Sequence, residues 1–445
     1  MDELVESAVS RPSAVPKKSR SMERRAAFAA SMGTLLEYFD FAIFGLLSAI
    51  VFPELFFKEL DGPAALLASF ATFGVGFLAR PLGAFIFAVI GDRFGRRRAL
   101  NGTLWLMGLS SVLVGLLPSH ATIGILAPVL LVALRFAQGI AAGGEICGAQ
   151  LLALEHAPKD RRGRAGSFVA VASPIAQLVA NLGLAGLTAV MSDEAFVAWG
   201  WRIPLVAAFI LLAVAGWVRS RVDETPEFEA AQSKSDDRPS TFHVFRVQPK
   251  TTLLLLFSWA GPHAIFPMVT VFGISYMTSE ADFPRSTTLS IMVFAQLVAI
   301  AGALAGGRVA DRIGARNTML IAMVGVGLFF IPLFPLVSTR NVVLIAIFMA
   351  GSVASVIFGQ AAQASFFADA FPVRLRYMGS AMSYAVSGVI FGGTAPFAAA
   401  SLLEVSGGNV FAVTAYGSAV VVASFIAVLA RPAHPDLAPE VTETT

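Results

Sequence analysis

The sequence contains little charge and almost no cysteine. Charged residues make up 14% of the 445 residues and hydrophobic residues make up 56%, whereas a soluble domain carries about 25% charged residues. The single cysteine, Cys147, excludes an intramolecular disulfide and gives no information about the redox compartment. The composition therefore excludes an ordinary soluble domain and indicates a protein that crosses a membrane several times.

Several functional motifs are also missing. The five histidines are scattered, without the His-Glu-x-x-His spacing of a zinc protease, and no Gly-x-Ser-x-Gly elbow occurs. We therefore expect no metal site, no cofactor and no enzyme activity. The net charge is +3, but the basic residues stand in short runs between apolar segments, so we expect no nucleic-acid partner.

Long apolar runs fill most of the chain. The first 25 residues are polar and lack the apolar core of a cleavable signal peptide. Each run that follows is long enough to cross a hydrocarbon core of about 30 Å. The sequence thus predicts an all-α polytopic membrane protein with twelve transmembrane helices. The runs span residues 27–51, 64–90, 99–117, 123–154, 165–190, 201–219, 251–278, 286–308, 318–337, 341–368, 377–402 and 411–430.

Two landmarks recur in the same order along the chain. The charged cluster at residues 91–98 has a degraded copy at residues 307–316, and Asp92 and Asp311 are 219 residues apart. A second pair of landmarks, marked by Pro158 and Pro372, has a spacing of 214 residues. Two landmarks that recur in the same order at nearly the same spacing indicate two six-helix pseudo-repeats. The predicted division is a tail at 1–26, a half at 27–219, a hydrophilic linker at 220–250, a half at 251–430 and a disordered tail at 431–445.

The basic residues are unequally divided between the two sides of the predicted membrane. Of the 32 Lys and Arg, 26 fall on the side of the N-terminal tail, four on the opposite side and two inside apolar runs. By the positive-inside rule both termini are expected to be cytoplasmic.

At this point the residues resemble a known family. Twelve helices in two halves, with Gly-Asp-Arg-x-Gly-Arg-Arg-Arg between the second and third, resemble the major facilitator superfamily. Further motifs are similar to those of its metabolite:proton symporters, whose members carry dicarboxylates, citrate, shikimate, or proline and betaine. Tyr38 stands where that family usually has tryptophan. The motifs are Glu-Tyr-Phe-Asp-Phe at 37–41, Arg-Pro-Leu-Gly at 80–83, Arg-Phe-Ala-Gln-Gly at 135–139, Gly-Gly-Glu at 143–145, Trp-Gly-Trp-Arg-Ile-Pro at 199–204 and Glu-Thr-Pro-Glu-Phe at 224–228.

Three carboxylic acids lie within the apolar runs. Placing an ionisable group at membrane depth costs roughly 2.5 to 3.5 kcal/mol of free energy. We therefore expect each such residue to have a charged partner or a function. Glu37 and Asp40 lie one turn apart on one face of the first helix, and Glu145 lies in the fourth. They either form structural pairs or couple transport to protons. Asp40 is the first candidate for coupling because it falls near the midplane, followed by Glu37 and Glu145.

Polar residues in the same runs are the candidates for substrate binding. Arg80 and Arg135 either pair with the membrane carboxylates or bind an anionic substrate. Gln138 lies on the same side of its helix as Arg135, and Tyr38 lies beside the acidic pair. His263 lies in the middle of the seventh run, where it is either a packing residue or part of a transport site. Together they favour a small organic anion, such as a mono- or dicarboxylate, as the substrate.

The resemblance implies that Asp92 braces the two halves on the cytoplasmic side when the protein opens outward. The alternative is that the motif only anchors the loop by its positive charge. Anchoring gives no reason for an aspartate between two glycines, so we favour the brace. The predicted gating residues are Gly91, Asp92, Arg93, Gly95 and Arg96 in the first copy, and Asp311, Arg312, Gly314 and Arg316 in the second.

These observations predict a proton-coupled importer that works by alternating access. We expect a functional monomer in a bacterial-type plasma membrane, with protons, a small-molecule substrate and the lipid bilayer as its partners. The alternatives are an exporter of the same fold or, from a different class, a non-transporting sensor or a membrane-embedded enzyme. The enzyme would need a clustered catalytic set, which the sequence lacks.

The unequal charge distribution gives a topological prediction. A reporter fused after Ala438 and one inserted at residues 230–240 should both report a cytoplasmic location, because 26 basic residues fall on that side. A periplasmic signal at either point, or opposite signals at the two points, would contradict the helix count or the orientation.

Overall fold

The computed structural model describes residues 20–94, 96–155, 161–220, 248–371 and 373–431. Within these ranges the chain is almost entirely helical and contains no strand. The long helices are α1 (Arg20–Ile50), α2 (Gly62–Phe94), α3 (Arg96–Leu116), α4 (Leu126–Glu155), α5 (Arg162–Val190), α6 (Arg202–Ser220), α7 (Pro249–Glu280), α8 (Arg285–Ile313), α9 (Ala315–Val337), α10 (Val342–Ala368), α11 (373–405) and α12 (Val410–Ala430).

The predicted all-helical membrane fold is confirmed, since each of the twelve apolar runs coincides with one long helix. Nine helices of the described residues are long and apolar enough to cross a membrane by themselves. A tenth span arises if the short helix Asp193–Gly200 and the start of α6, which meet at 43°, are counted together. α1 begins at Arg20, before the apolar run that starts at residue 27, so this helix extends beyond its apolar part.

Successive helices alternate in direction. We call residues 20–220 the N-terminal segment and residues 248–431 the C-terminal segment. The side on which α1 begins is called the tail side, and the opposite side is called the far side. A contact between the start of α5 and the end of α10, Arg162 to Asp369, lies on the tail side. A contact between the start of α8 and the turn after α1, Arg285 to Glu54, lies on the far side.

Polar caps and one glycine set the ends of several helices. The side chain of Asn341 accepts hydrogen bonds from two backbone N–H groups at the start of α10, and Asn409 does the same for one at the start of α12. α8 ends at Gly314, whose φ of 85° lies in the region that favours glycine. The two asparagines thus begin helices and the glycine ends one, at points where the chain turns back into the membrane.

α7 is the most buried of the nine helices that could cross a membrane by themselves, and it is broken. Within its apolar window 83% of the residues are buried, against 44% for α8. Its helical pieces Pro249–Ser258 and Ala260–Pro267 meet at Trp259, which has φ −111° and ψ 5°. Pro262 lacks an N–H and its ring crowds the carbonyl four residues earlier, at Ser258, which explains a break just before the proline.

Close packing of α2 against α4 depends on glycines. A Cβ placed on Gly83 would overlap the backbone carbonyl of Ile140, and a Cβ on Gly143 would overlap that of Arg80. Without side chains at these points the two backbones approach closely, as small residues allow in membranes. This approach brings Arg80 beside α4.

Gly83→Ala should therefore lower the melting temperature of the purified protein, because overpacking against a backbone that cannot turn aside costs about 1–3 kcal/mol. The matched control is Gly183→Ala in α5, where a new Cβ would meet nothing within 4 Å. That substitution should leave the protein unchanged or stabilise it by about 0.5–1 kcal/mol. Equal melting temperatures for the two variants would contradict the close α2–α4 approach.

Candidate functional site

Asp40 lies at the centre of a polar cluster inside the N-terminal segment. Its side chain is 4% exposed. One carboxylate oxygen accepts hydrogen bonds from the hydroxyl of Ser111 on α3 and from Nε2 of Gln138 on α4, the latter at 2.8 Å. The other oxygen lies 3.8 Å from Nη1 of Arg135. Side chains from two neighbouring helices, α3 and α4, thus hold this carboxylate in place.

Arg135 is enclosed by aromatic rings as well as by the carboxylate. Its guanidinium carbon lies 4.2 Å from the ring centre of Phe44 and 5.2 to 5.3 Å from those of Phe41 and Phe73. A guanidinium over aromatic faces gains cation–π attraction, which is strongest away from water. The arginine is 2% exposed, so this attraction and the nearby Asp40 offset its loss of hydration.

Glu37 and Arg80 form a second pair one turn away. Nη2 of Arg80 lies 3.5 Å from Oε1 of Glu37, and the guanidinium lies 4.6 Å from the ring centre of Phe77. Arg80 is the more accessible arginine, with 12% of its side chain exposed against 3% for Arg135. The two acids that sequence analysis placed on one face of α1 therefore have different basic partners.

A small cavity lies between the two ion pairs. Its volume is about 10 Å³, and Glu37, Asp40, Arg80 and Arg135 all contribute to its wall. A buried water needs roughly 10–15 Å³, so the cavity holds one water molecule at most. The two acids and two bases face the same narrow space and together carry no net charge.

A second polar layer joins the two segments. Nε2 of Gln360 on α10 donates to the hydroxyl of Tyr38 on α1 at 2.9 Å. Tyr38 also hydrogen-bonds Tyr384 on α11, and that ring lies 4.6 Å from the imidazole of His263 on α7. Nδ1 of His263 lies 3.1 Å from the hydroxyl of Ser387. The contacts of Tyr38 cross the boundary between the segments, whereas those of His263 lie within the C-terminal segment. All of these contacts are between neutral groups and lie near Arg80.

The predicted site residues are thus divided between two layers. Asp40, Glu37, Arg80, Arg135 and Gln138 form the charged cluster, whereas Tyr38 and His263 lie in the layer between the segments. The side chain of Glu145 lies outside the described residues. Four further residues of these layers were not predicted from the sequence, although each is a polar residue within an apolar run: Ser111, Gln360, Tyr384 and Ser387.

Asp311, from the second copy of the repeated motif, connects the two segments on the tail side. Its Oδ1 accepts a hydrogen bond from the backbone N–H of Gly163 at 2.7 Å, and its Oδ2 lies 3.4 Å from Nε of Arg164. Both partners lie in the first turn of α5, where the helix dipole favours a negative charge. Gly163 also lets this turn approach α8 closely, since a Cβ there would lie 2.5 Å from the carbonyl of Gly307.

The other predicted gating residues have different surroundings. Arg316 donates to the carbonyls of Val428 and Leu429 at the end of α12, and Arg312 is exposed. In the first copy, Gly91, Asp92 and Arg93 belong to the last turn of α2 and Arg96 begins α3. Gly95 and the side chains of this copy, including that of Asp92, lie outside the described residues.

The sequence matches the model of a known family over most of its length. The family model of the Major Facilitator Superfamily matches residues 30–395. The chain belongs to this superfamily. Among its relatives, the inner membrane metabolite transport protein YhjE of Escherichia coli is 36% identical over 387 residues, covering 84% of this chain and 86% of the relative. The shikimate transporter of the same organism is 36% identical over 414 residues, covering 89% and 92%.

A more distant relative and a solved structure extend the comparison. A putative proline/betaine transporter of Staphylococcus haemolyticus is 29% identical over 408 residues, covering 91% of this chain and 86% of the relative. The proton:xylose symporter XylE bound to 6-bromo-6-deoxy-D-glucose superposes with a TM-score of 0.73, covering 93% of this chain and 96% of that one. At 16% identity this second match shows the fold alone. All these relatives are transporters, and none is named as an enzyme.

The contact of Asp311 with α5 gives a testable prediction. In a Cys147→Ala background, a cysteine introduced as Ser365→Cys should be labelled slowly, because Ser365 is 7% exposed and lies on α10 near the Arg162–Asp369 contact. Asp311→Asn should speed its labelling by a maleimide about tenfold, since a hydrogen bond to a charged group contributes about 1.5–3 kcal/mol.

The control is Asp282→Asn on the far side, whose carboxylate is 81% exposed and lies 3.8 Å from Arg340. That variant should leave the labelling rate unchanged. Unchanged labelling in Asp311→Asn would show that this residue does not hold the tail side closed.

Proposed function

We propose that this protein imports a small organic anion together with protons, by alternating access of a site between its two segments. The observation that carries the proposal is the Arg80–Glu37 pair, 3.5 Å apart, beside the neutral polar layer of Tyr38, Tyr384 and His263. An arginine in a charge-balanced cluster, at the boundary between two moving segments, is suited to binding a carboxylate when the cluster has gained a proton.

The charge balance of the cluster supplies the coupling. Glu37, Asp40, Arg80 and Arg135 carry no net charge while both acids are ionised. One added proton leaves a net charge of +1 in a nearly dry space, which attracts an anion strongly. Because coupling is reciprocal, a bound anion raises the affinity for the proton by the same factor. Substrate and proton would then enter together.

Asp40 is the proposed coupling group, and Arg80 the proposed substrate ligand. Arg135 is enclosed by three phenylalanines and is directed at Asp40, which suits it for sensing the charge of that carboxylate. Arg80 lies next to the layer between the segments. Tyr38, Gln360 and His263 would contribute hydrogen bonds to the substrate.

We also propose how the chain is arranged and oriented in the membrane. Residues 27–219 and 251–430 would move as two halves, with the tail side facing the cytoplasm of a bacterial cell and one chain sufficient for transport. An exporter of this fold would show the opposite direction of coupled flux in proteoliposomes. A non-transporting sensor would show no counterflow.

A ligand screen can test the substrate class. A ligand present at 100 times its Kd stabilises the folded protein by about 2.7 kcal/mol, which a melting curve detects. We expect organic anions to raise the melting temperature of the wild type but not of the charge-matched double variant Glu37→Gln/Arg80→Gln. Stabilisation by anions that persists in this variant would remove Arg80 from the substrate site.

Asp40→Asn mimics the protonated carboxyl permanently. We expect it to abolish accumulation driven by an imposed proton gradient while leaving exchange of labelled for unlabelled substrate measurable. The control is Ser111→Ala, which removes one hydrogen bond to Asp40 but keeps the titratable carboxyl. Melting temperatures should accompany both assays, since removing one partner of a buried ion pair can cost about 3–5 kcal/mol.

Two results would count against this role. If Asp40→Asn still concentrates substrate when pH is the only driving force, Asp40 is not the coupling group. If a folded variant loses binding and exchange together, Asp40 belongs to the substrate site or to a structural ion pair, and the same test applies to Glu37 and then to Glu145.

A further inference from the structure

A large cavity opens on the far side, between the two segments and away from the charged cluster. We call it the far-side vestibule. Its volume is about 700 Å³, within the range of about 300–1,000 Å³ typical of small-molecule sites. Residues of the N-terminal segment, including Glu54 and Asp193, form one wall. The ends of α7 and α11 and the start of α8 form the other.

The vestibule is strongly acidic. Four carboxylates line it, from Glu54, Asp193, Glu280 and Glu404, and Arg285 is the only basic residue among the described residues of the wall. Arg285 contacts two of these acids, with Nη2 3.3 Å from Glu54 and Nη1 3.4 Å from Asp193. The vestibule therefore carries a net charge of −3 when its acids are ionised, and the charges of Glu280 and Glu404 are left for another cation.

The arrangement of the carboxylates in the vestibule does not suit a metal ion. Among the described residues, no group of three or more His, Cys, Asp or Glu is close enough to hold a metal. The carboxylates are instead spread around a wide space that also includes the aromatic side chains of Tyr276 and Phe283. Acidic groups combined with aromatic faces suit an organic cation, which gains both charge attraction and cation–π contact.

One buried hydroxyl in the wall indicates a hydrogen-bonding ligand. Ser275 on α7 lines the vestibule and is 1% exposed. Its side-chain oxygen has no hydrogen-bond partner among the described residues. Ser290 on the neighbouring helix α8, by contrast, bonds a carbonyl one turn back. A buried hydroxyl without such a bond is an available acceptor for an N–H group.

We propose that the far-side vestibule binds a small alkylammonium ion that carries at least one N–H. Glu280 and Glu404 supply the charge, Tyr276 and Phe283 contact the alkyl groups, and Ser275 accepts the N–H. This site is separate from the proposed anion site, because the vestibule and the cavity at Arg80 share no lining residue.

The binding test uses the full-length protein in nanodiscs of zwitterionic lipid, with ligand binding followed by saturation-transfer NMR. Trimethylammonium is the probe, tetramethylammonium is the analogue without an N–H, and tert-butanol is the neutral analogue of similar size. We expect saturable binding of trimethylammonium, weaker binding of tetramethylammonium and no saturable binding of tert-butanol. Raising NaCl from 0.1 to 1 M should weaken the binding, since the Debye length falls from about 10 Å to about 3 Å.

Substitutions of the lining residues test whether trimethylammonium binds in the vestibule. Glu280→Gln/Glu404→Gln should weaken trimethylammonium binding about tenfold, since each nearby carboxylate in water contributes a few-fold. The control Glu59→Gln removes a carboxylate that is 79% exposed on the same side but does not line the vestibule, and it should have no effect. Ser275→Ala should erase the preference for trimethylammonium over tetramethylammonium.

Three results would overturn the proposal. Equal binding of tert-butanol would reduce the interaction to apolar contact. An equal effect of Glu59→Gln and the double variant would reduce it to general surface charge. A preference for trimethylammonium that is absent, or that survives Ser275→Ala, would exclude the hydroxyl and with it the proposed class of ligand.

Discussion

Charges inside the hydrocarbon layer must be balanced where they lie, because lipid chains offer neither water nor counterions. Glu37 and Asp40 are each within 4 Å of an arginine, and Arg80 and Arg135 are each covered by aromatic rings. The packing of α1 against α2 and α4 places each of these acids beside an arginine. Gly76, for example, leaves space for Arg135, whose Nε would lie 2.6 Å from a Cβ at that position.

The division of polar contacts between the segments follows from the same constraint. Both buried ion pairs lie within the N-terminal segment, whereas the central contacts across the boundary are neutral, such as that between Tyr38 and Gln360. Separating a buried ion pair can cost about 3–5 kcal/mol, but a neutral hydrogen bond contributes only about 0.5–1.5 kcal/mol net. The centre of the boundary can therefore open without separating a buried ion pair.

Much of this architecture could be predicted from the sequence, because hydropathy and length determine which runs become membrane helices. Charges within those runs likewise drew attention to Glu37, Asp40, Arg80 and Arg135. Their pairing could not be predicted, because helical periodicity gives the face of a residue but not the neighbour that the face meets. Gln360 and Tyr384 were missed for the same reason, since their importance arises only when α10 and α11 pack against α1.

Local backbone features were harder to predict. Pro262 lies in the seventh apolar run, and α7 breaks three residues before it, at Trp259, next to the Ser258 carbonyl that the proline ring crowds. The brace was expected first at Asp92, in the intact copy of the motif, yet the contact that the described residues contain is made by Asp311 in the degraded copy. A degraded motif can keep the one side chain that bridges two helices while losing basic residues that face solvent.

The two sides of the protein are held together with unequal strength. On the far side the partners of Arg285 are 57% and 77% exposed, and exposed ion pairs contribute about 0–1 kcal/mol. On the tail side Asp311 is 9% exposed and bonds a helix N-terminus. Thermal fluctuation should therefore part the far side more readily than the tail side. In the transport cycle that we propose, the release of Asp311 from α5 would be the slow step of the empty molecule.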